Sequence, residues 1–327
     1  MSAVLVTGCS GFIGAAVCEA LVARGRAVIG FDRRPPAFSG AEWLRRLVFV
    51  PGDITDGAAL RRLFEDHPIA HVVHAAAITP DVALERAAPE IIMEVNIAGA
   101  CRLMAAARDG GAGRLLFLSS ISAYGAAQTN VFGRYDEAES VPRPETLYGV
   151  SKYAAEQALT RLAALDGMDL RVIRLGPVFG PWEHESGVRA VLSPHHQITK
   201  AARQGASCVL PRAVPADWLY SREAGRRIAD VLEAPPPGAG PVNLGGGSVT
   251  TLAEWCAALE AHHPGFRWRL DAAVPTIRYG YATDRPALDN TRIDALSPVR
   301  VLPLDEAARD YLAWLDRFVP RNPPLEP

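Results

Sequence analysis

The chain has 327 residues, enough for two modest domains or one large α/β unit with a substantial core. Lys+Arg 34 against Asp+Glu 36 leaves a net charge of -2, which offers no field to attract nucleic acid or an anionic membrane. Hydrophobic residues at 49% exclude a disordered chain, and no apolar run is long enough to span a bilayer.

In chain order, Val4-Leu5-Val6 reads as a buried strand, and a helix opening near Gly11 runs to Ala23. Further strands are expected at Ala27–Phe31, Val48–Val50, His71–His74, Arg114–Leu118 and Leu170–Leu175. Near-continuous apolar strands separated by helices predict a parallel sheet covered on both faces. After Gly176 the alternation fades and proline and glycine become frequent, with a turn at Pro235-Pro236-Pro237-Gly238. Thr251 and Glu254 have capping-box spacing for a helix from Leu252 to about Ala261. Ala308, Tyr311, Leu312 and Leu315 predict a last helix over Leu304–Phe318, and the tail Pro320–Pro327 is expected to fray. The N-terminus shows no basic segment or cleavage site, so no secretory signal is expected. Cys9, Cys18, Cys101, Cys208 and Cys256 are odd in number and form no CxxC pair. That predicts neither disulfides nor a zinc site and points to a reducing cytoplasm. Adjacent residues face apart, so neither His195-His196 nor His262-His263 makes a metal site alone, and none is expected.

Between the first strand and its helix lies Thr7-Gly8-Cys9-Ser10-Gly11-Phe12-Ile13-Gly14. A dinucleotide pyrophosphate needs bare backbone at a helix N-terminus. Gly8 permits the turn, Gly11 the contact and Gly14 the packing of helix on strand. Asp32 ends the second strand, where a carboxylate accepts both ribose hydroxyls and repels a 2′-phosphate; this favours NAD over NADP. Arg33 and Arg34 stand beside it, and a guanidinium there could hold a phosphate.

The fifth strand runs into Ser119-Ser120-Ile121-Ser122-Ala123-Tyr124-Gly125, and Tyr148-Gly149-Val150-Ser151-Lys152 leads into a helical pattern from Tyr153 to Leu165. Tyr148 and Lys152, four apart, share a helix face. A neighbouring ammonium lowers a phenol's pKa, so that it can exchange a proton with a substrate hydroxyl near neutral pH. A serine hydroxyl at the strand end can orient the same oxygen. The cofactor carries the hydride.

These segments, with Gly52-Asp53-Ile54, His74-Ala75-Ala76-Ala77, Asn96 and Val242-Asn243-Leu244-Gly245, resemble the extended short-chain dehydrogenases/reductases, the NAD-dependent epimerase/dehydratase family. The resemblance implies a catalytic set of Ser120, Tyr148 and Lys152. It implies a cofactor site of Gly8, Ser10, Gly11, Phe12, Ile13, Gly14, Asp32, Arg33, Asp53, Ile54, Ala75, Ala76, Ala77, Asn96, Tyr148, Lys152, Pro177 and Val178. Asp53 and Ile54 would flank the adenine, and Asn96 would hold a structural turn. Thr79, Ser122, Ser186 and Arg189 are the substrate candidates, with His184 beside them. Ser119 and Ser122 are expected as hydrogen-bonded turn residues.

Three departures narrow the chemistry. The family's dehydratases place Asp-Glu after the catalytic Thr, where this chain has Ile121 and Ser122; water elimination by that route is disfavoured. Nucleotide-sugar members usually carry Asn where Pro177 stands, and a diphosphate-gripping Arg where Ala216 stands. A lost contact to a charged phosphate costs about 1.5–3 kcal/mol, which disfavours a nucleoside diphosphate unless Arg212, Arg278 or Arg285 substitutes.

The expectation is an α/β protein with a Rossmann-type doubly wound parallel sheet. Residues 1–175 would form the dinucleotide-binding domain. Residues 176–327 would form mainly a smaller C-terminal substrate-binding region, with a strand near 242–244 able to rejoin the sheet. The leading functional reading is NAD-dependent oxidation of a secondary hydroxyl on a small sugar, polyol or sugar acid. The alternatives are a (nucleotide-)sugar epimerase and a non-catalytic NAD(P)-binding regulator. The resemblance also implies a homodimer through about Pro89–Asp109 and Tyr148–Leu165.

Overall fold

Seven short strands build one parallel sheet in the computed structural model of the chain, which describes residues 2–38, 40–185, 191–236, 238–279 and 284–319. They are β1 (Ala3–Thr7), β2 (Val28–Asp32), β3 (Leu47–Pro51), β4 (Ile69–His74), β5 (Arg114–Ser120), β6 (Asp169–Leu175) and β7 (Val242–Leu244). Their spatial order is β7-β6-β5-β4-β1-β2-β3. All neighbours pair in parallel, including β7 beside β6, so the strand anticipated near 242–244 is part of this sheet. The order reverses between β1 and β4. In such sheets a crevice opens there, beyond the strands' C-terminal ends, and ligands bind in it.

All of β1 is buried, as a strand covered on both faces requires. On one face Leu5, Ile29, Phe31, Val72 and Phe117 pack under Leu60, Leu103, Met104 and Leu159. On the other, Val4, Val6, Val28, Val73 and Leu118 pack against Val17, Leu21, Ile228 and Leu232. The helix after β1 (Phe12–Ala23) lies closely on the helix Ser221–Glu233, where a Cβ on Gly225 would come within 2.3 Å of the Ala16 carbonyl oxygen.

The remainder packs through rings. Phe38, Trp182 and Trp314 meet edge to face, and the His195 ring stacks on Phe179 with centroids 3.9 Å apart. Trp218 and Trp255 close around the same imidazole. The capping box forms: Thr251 Oγ1 accepts the Glu254 N–H at 3.1 Å, and Glu254 accepts the Thr251 N–H at 2.7 Å. It opens the helix Leu252–His262, and the last helix spans Leu304–Phe318 as its periodicity predicts. The tail 320–327 lies outside the described residues. Among the described residues no helix is long and apolar enough to cross a membrane.

Candidate functional site

The glycine loop leaves β1 at the switch point. Gly8 has φ +71°, and a Cβ there would lie 2.6 Å from the Ala76 nitrogen. A Cβ on Gly14 would meet the Gly8 carbonyl oxygen at 2.0 Å. Only glycine fits either place. The following helix begins at Gly11 with no side-chain cap and no acidic residue in its first turn. An open helix N-terminus in a glycine cradle suits an anion. At the end of β2, Asp32 accepts N–H bonds from Ser10 (3.1 Å) and Arg33 (2.7 Å), which aims its carboxylate at the same loop. Cradle, open amides and carboxylate together fit a dinucleotide, whose adenosine ribose Asp32 would hold.

The loop after β4 forms the opposite wall. Ala75 N–H donates to the Thr7 carbonyl, tying Ala75–Ala77 to the glycine loop. Asn96 lies in a π-helical turn, Glu94–Gly99, within a helical run from Pro89 to Asp109. Its carboxamide accepts from Ile78 N–H (2.8 Å) and donates to Ile78 O (3.0 Å) and to Ser151 Oγ (2.9 Å). Asn96 thus fastens the β4 loop to the segment between Tyr148 and Lys152. Asp53 binds Thr55 through its Oδ1, while Asp56 caps the next helix. Ile54 is buried under Gly99.

The helix carrying Tyr148 and Lys152, expected over about Tyr148–Leu165, forms. It spans Leu147–Asp166, because the Thr146 hydroxyl caps it at Gly149 N–H (3.1 Å). Gly149 explains the placement of the pair. A Cβ there would lie 2.3 Å from the Ser122 carbonyl oxygen, so the helix start rests directly on the turn after β5. Ser120 Oγ accepts the Ser122 N–H in that turn (3.1 Å). The helix start that carries Tyr148 and Lys152 therefore lies against the end of β5 that carries Ser120. Lys152 is buried, with its ammonium 4.5 Å from the Phe117 ring centroid. Burial pushes its pKa down from 10.5 to about 8, with the Glu156 carboxylate acting the other way. His74, at the end of β4, shares a hydrogen bond with Thr7 Oγ1 at 2.7 Å. Burial and the Lys152 charge hold His74 down to about 3, so this imidazole stays neutral at working pH. Cys9 is fully buried, and burial pushes its thiol up to about 12, far from a reactive thiolate.

Ser119 corrects the sequence reading. It is not a turn residue: it is a buried residue within β5, one before its end, and its hydroxyl donates to Glu156. Glu156 is also held by Arg174, through Nε (3.1 Å) and Nη2 (2.6 Å), both side chains being buried. Sequence reading passed over Glu156, although its place one turn beyond Lys152 was visible. Arg285, considered only as a phosphate substitute, reaches Ser122 Oγ at 3.4 Å from a distant segment. Pro177 and Val178 lie where a short strand pairs with Leu219-Tyr220. Thr79 is half-buried in the β4 loop. His184 turns to the Trp182 carbonyl and the Phe38 ring. Ser186 and Arg189 lie outside the described residues. A cavity of about 200 Å³ opens elsewhere, among Trp218, Tyr220, Glu223, Leu302 and Ala307, and none of the catalytic candidates lines it. Among the described residues no three metal-ligating side chains gather.

Fold and loops define a dinucleotide-binding α/β protein of the short-chain dehydrogenase/reductase type. The sequence profile of the NAD dependent epimerase/dehydratase family matches residues 4–245, and the chain belongs to that family. It is 34% identical over 188 residues to UDP-glucuronate 4-epimerase 6 of Arabidopsis thaliana, a match covering 55% of this chain and 40% of the plant enzyme. It is 30% identical over 228 residues to sterol demethylase protein B of Methylococcus capsulatus, covering 68% and 66%. Its fold follows that of UDP-glucose 4-epimerase from Thermotoga maritima, solved with UDP-glucose, at TM-score 0.78 and 24% identity over 96% of this chain and 98% of the other.

Proposed function

We propose that the chain is an NAD-dependent epimerase acting on a nucleotide sugar, with a hexuronate or hexose as the sugar. What supports this is the packing of the Tyr148–Lys152 helix start, through Gly149, on the turn that follows Ser120 at the end of β5. The names of the relatives support inversion over net oxidation of a small sugar, the leading expectation from sequence alone. NAD, when bound, would supply a reversible hydride acceptor. Gly8, Gly11, Gly14, Asp32 and the Ala75–Ala77 loop would hold it. Tyr148 removes the proton from the reacting hydroxyl and restores it after inversion. Lys152 supplies the positive charge that makes this phenol acidic. Ser120 Oγ orients the substrate oxygen. Arg285, beside Ser122, is assigned to an anionic group on the sugar, as a guanidinium suits a carboxylate.

Pro177 and Ala216 offer a diphosphate no side-chain donor, so the phosphates fall to other arginines. Arg212, paired with Asp284 and standing over the Tyr279 ring, and the exposed Arg278 are the candidates. The same two departures favour one competing reading, net oxidation of a free sugar acid. The test incubates the protein with NAD and UDP-glucuronate, UDP-glucose or glucuronate, following NADH absorbance and analysing products by NMR. Inverted nucleotide sugar without net NADH is expected. NADH accumulating with glucuronate, and untouched nucleotide sugars, would overturn the epimerase reading.

A further inference from the structure

Lys152 is chemically unusual in this chain. Lys152 and Lys200 are its only lysines; every other basic side chain among the 34 is an arginine. Arginine holds its proton and favours paired hydrogen bonds, whereas lysine's pKa responds strongly to its surroundings. The surroundings of Lys152 are therefore decisive. From β5 the Phe117 ring faces its ammonium, and the Lys152 charge acts on the neutral His74 of β4. Tyr148 and Glu156 stand one turn before and after it on its own helix. Glu156 is the carboxylate whose charge acts on it.

Glu156 is itself only 3% exposed. Ser119 and Arg174 grip both of its oxygens from β5 and β6. The clamp continues outward. The Arg174 guanidinium lies 4.5 Å from the Tyr124 ring centroid, Tyr124 O–H donates to Asn243 Oδ1 on β7 (2.9 Å), and Asn243 N–H donates to Glu137 (2.8 Å). The Glu156 carboxylate cannot turn away without breaking this row. It also cannot be the residue that receives substrate, because both oxygens are engaged inside the core.

We propose that Glu156 is a positioning residue, clamped by Arg174 and Ser119, that keeps the Lys152 ammonium charged and directed at Tyr148. Without that carboxylate, burial acts on Lys152 unopposed and the ammonium loses its proton closer to neutrality. Tyr148 then loses the cation that makes it acidic. The inference rests on the roles given above to Tyr148 and Lys152, but its test reads Lys152 directly.

Protein carrying ¹³C-labelled lysine shows two Cε signals by NMR, with exposed Lys200 as the internal reference. The Lys152 signal should titrate at about 8 in the native chain. In Glu156→Gln its midpoint should fall by about one pH unit or more, with Lys200 unmoved. The alkaline limb of any turnover should follow it. Because that variant leaves Arg174 charged and unpaired, which itself lowers Lys152, Glu156→Gln/Arg174→Gln is measured in parallel and should show a smaller fall in the same direction. Ser119→Ala, which keeps both charges, should give a smaller fall. A Lys152 midpoint that stays put or rises in any folded variant lacking Glu156 overturns the proposal, since a merely structural carboxylate would not move it. A falling midpoint in a chain that converts no sugar would sink the epimerase reading and leave the clamp standing.

Discussion

The sheet half and the substrate-side half of this molecule are held together by different means. Through Leu175 the chain is an apolar sandwich, in which alternate strand residues pack under helices on both faces and burial supplies most of the cohesion. Beyond Gly176 the helices join the same apolar cluster through aliphatic and ring contacts, and buried polar groups in addition sew the loops between them to one another and to the sheet. Asp217 accepts the Leu288 N–H (3.0 Å), Asn290 makes two bonds to the Gly245 backbone, and Asn243 donates to the Tyr135 carbonyl (3.0 Å). The first half offers a general cofactor platform. The second brings individual side chains, such as Arg285, from far along the chain to the end of β5. Under the proposed function, substrate choice can change in the second half while the first stays intact.

The strongest way to break that division is Tyr148→Phe. Turnover should fall by about 10²–10⁴-fold, with NAD affinity by fluorescence titration unchanged. Weakened NAD binding would mean that chemistry and platform are not separable.

Asp217→Asn probes the stitching. Burial raises Asp217 from an ordinary 3.8 to about 6, against the Leu288 N–H bond that lowers it. A carboxyl whose folded pKa is raised favours the fold fully below about pH 4, and that contribution is lost as pH rises through about 6. The asparagine variant has no charge to bury. Its stability relative to the native chain, read by urea unfolding, should therefore rise between pH 4 and pH 7, by at most about 3 kcal/mol. A pH-independent difference would remove Asp217 from this account.

Arg285→Ala sharpens the comparison at the site. A charge-assisted contact contributes about 1.5–3 kcal/mol, so kcat/KM for an acidic sugar substrate should drop roughly 10- to 100-fold relative to its neutral counterpart. Equal losses on both would move the anion subsite elsewhere. Thr251→Ala should have the smallest effect, about 1 kcal/mol of unfolding free energy with kinetics untouched, because the capping box sits on the helix Leu252–His262 away from the catalytic set.

Legibility in the sequence follows the same division. The six strands through Leu175 and the final helix could be read because runs and periodicities are local signals. The glycine loop, Asp32 and the Tyr148–Lys152 pair could be read because their spacing is itself the chemistry. The helix over about Tyr148–Leu165 could be read as well; what fixes its start, Thr146 as a cap and Gly149 touching Ser122, has no periodic signal. Ser119 was misplaced because its partner Glu156 is 37 residues away. No periodicity announces Arg285 on Ser122, a contact 163 residues apart that exists only after folding.

The closing strand of the sheet has a consequence for synthesis. Asp169–Leu175 leaves the ribosome well before Val242–Leu244, its parallel neighbour, has been made. During that interval the nascent chain carries a raw sheet margin with unmated amide and carbonyl groups, a template for pairing with another chain. Truncations ending between the two segments keep that margin permanently, and insoluble product is what they should yield.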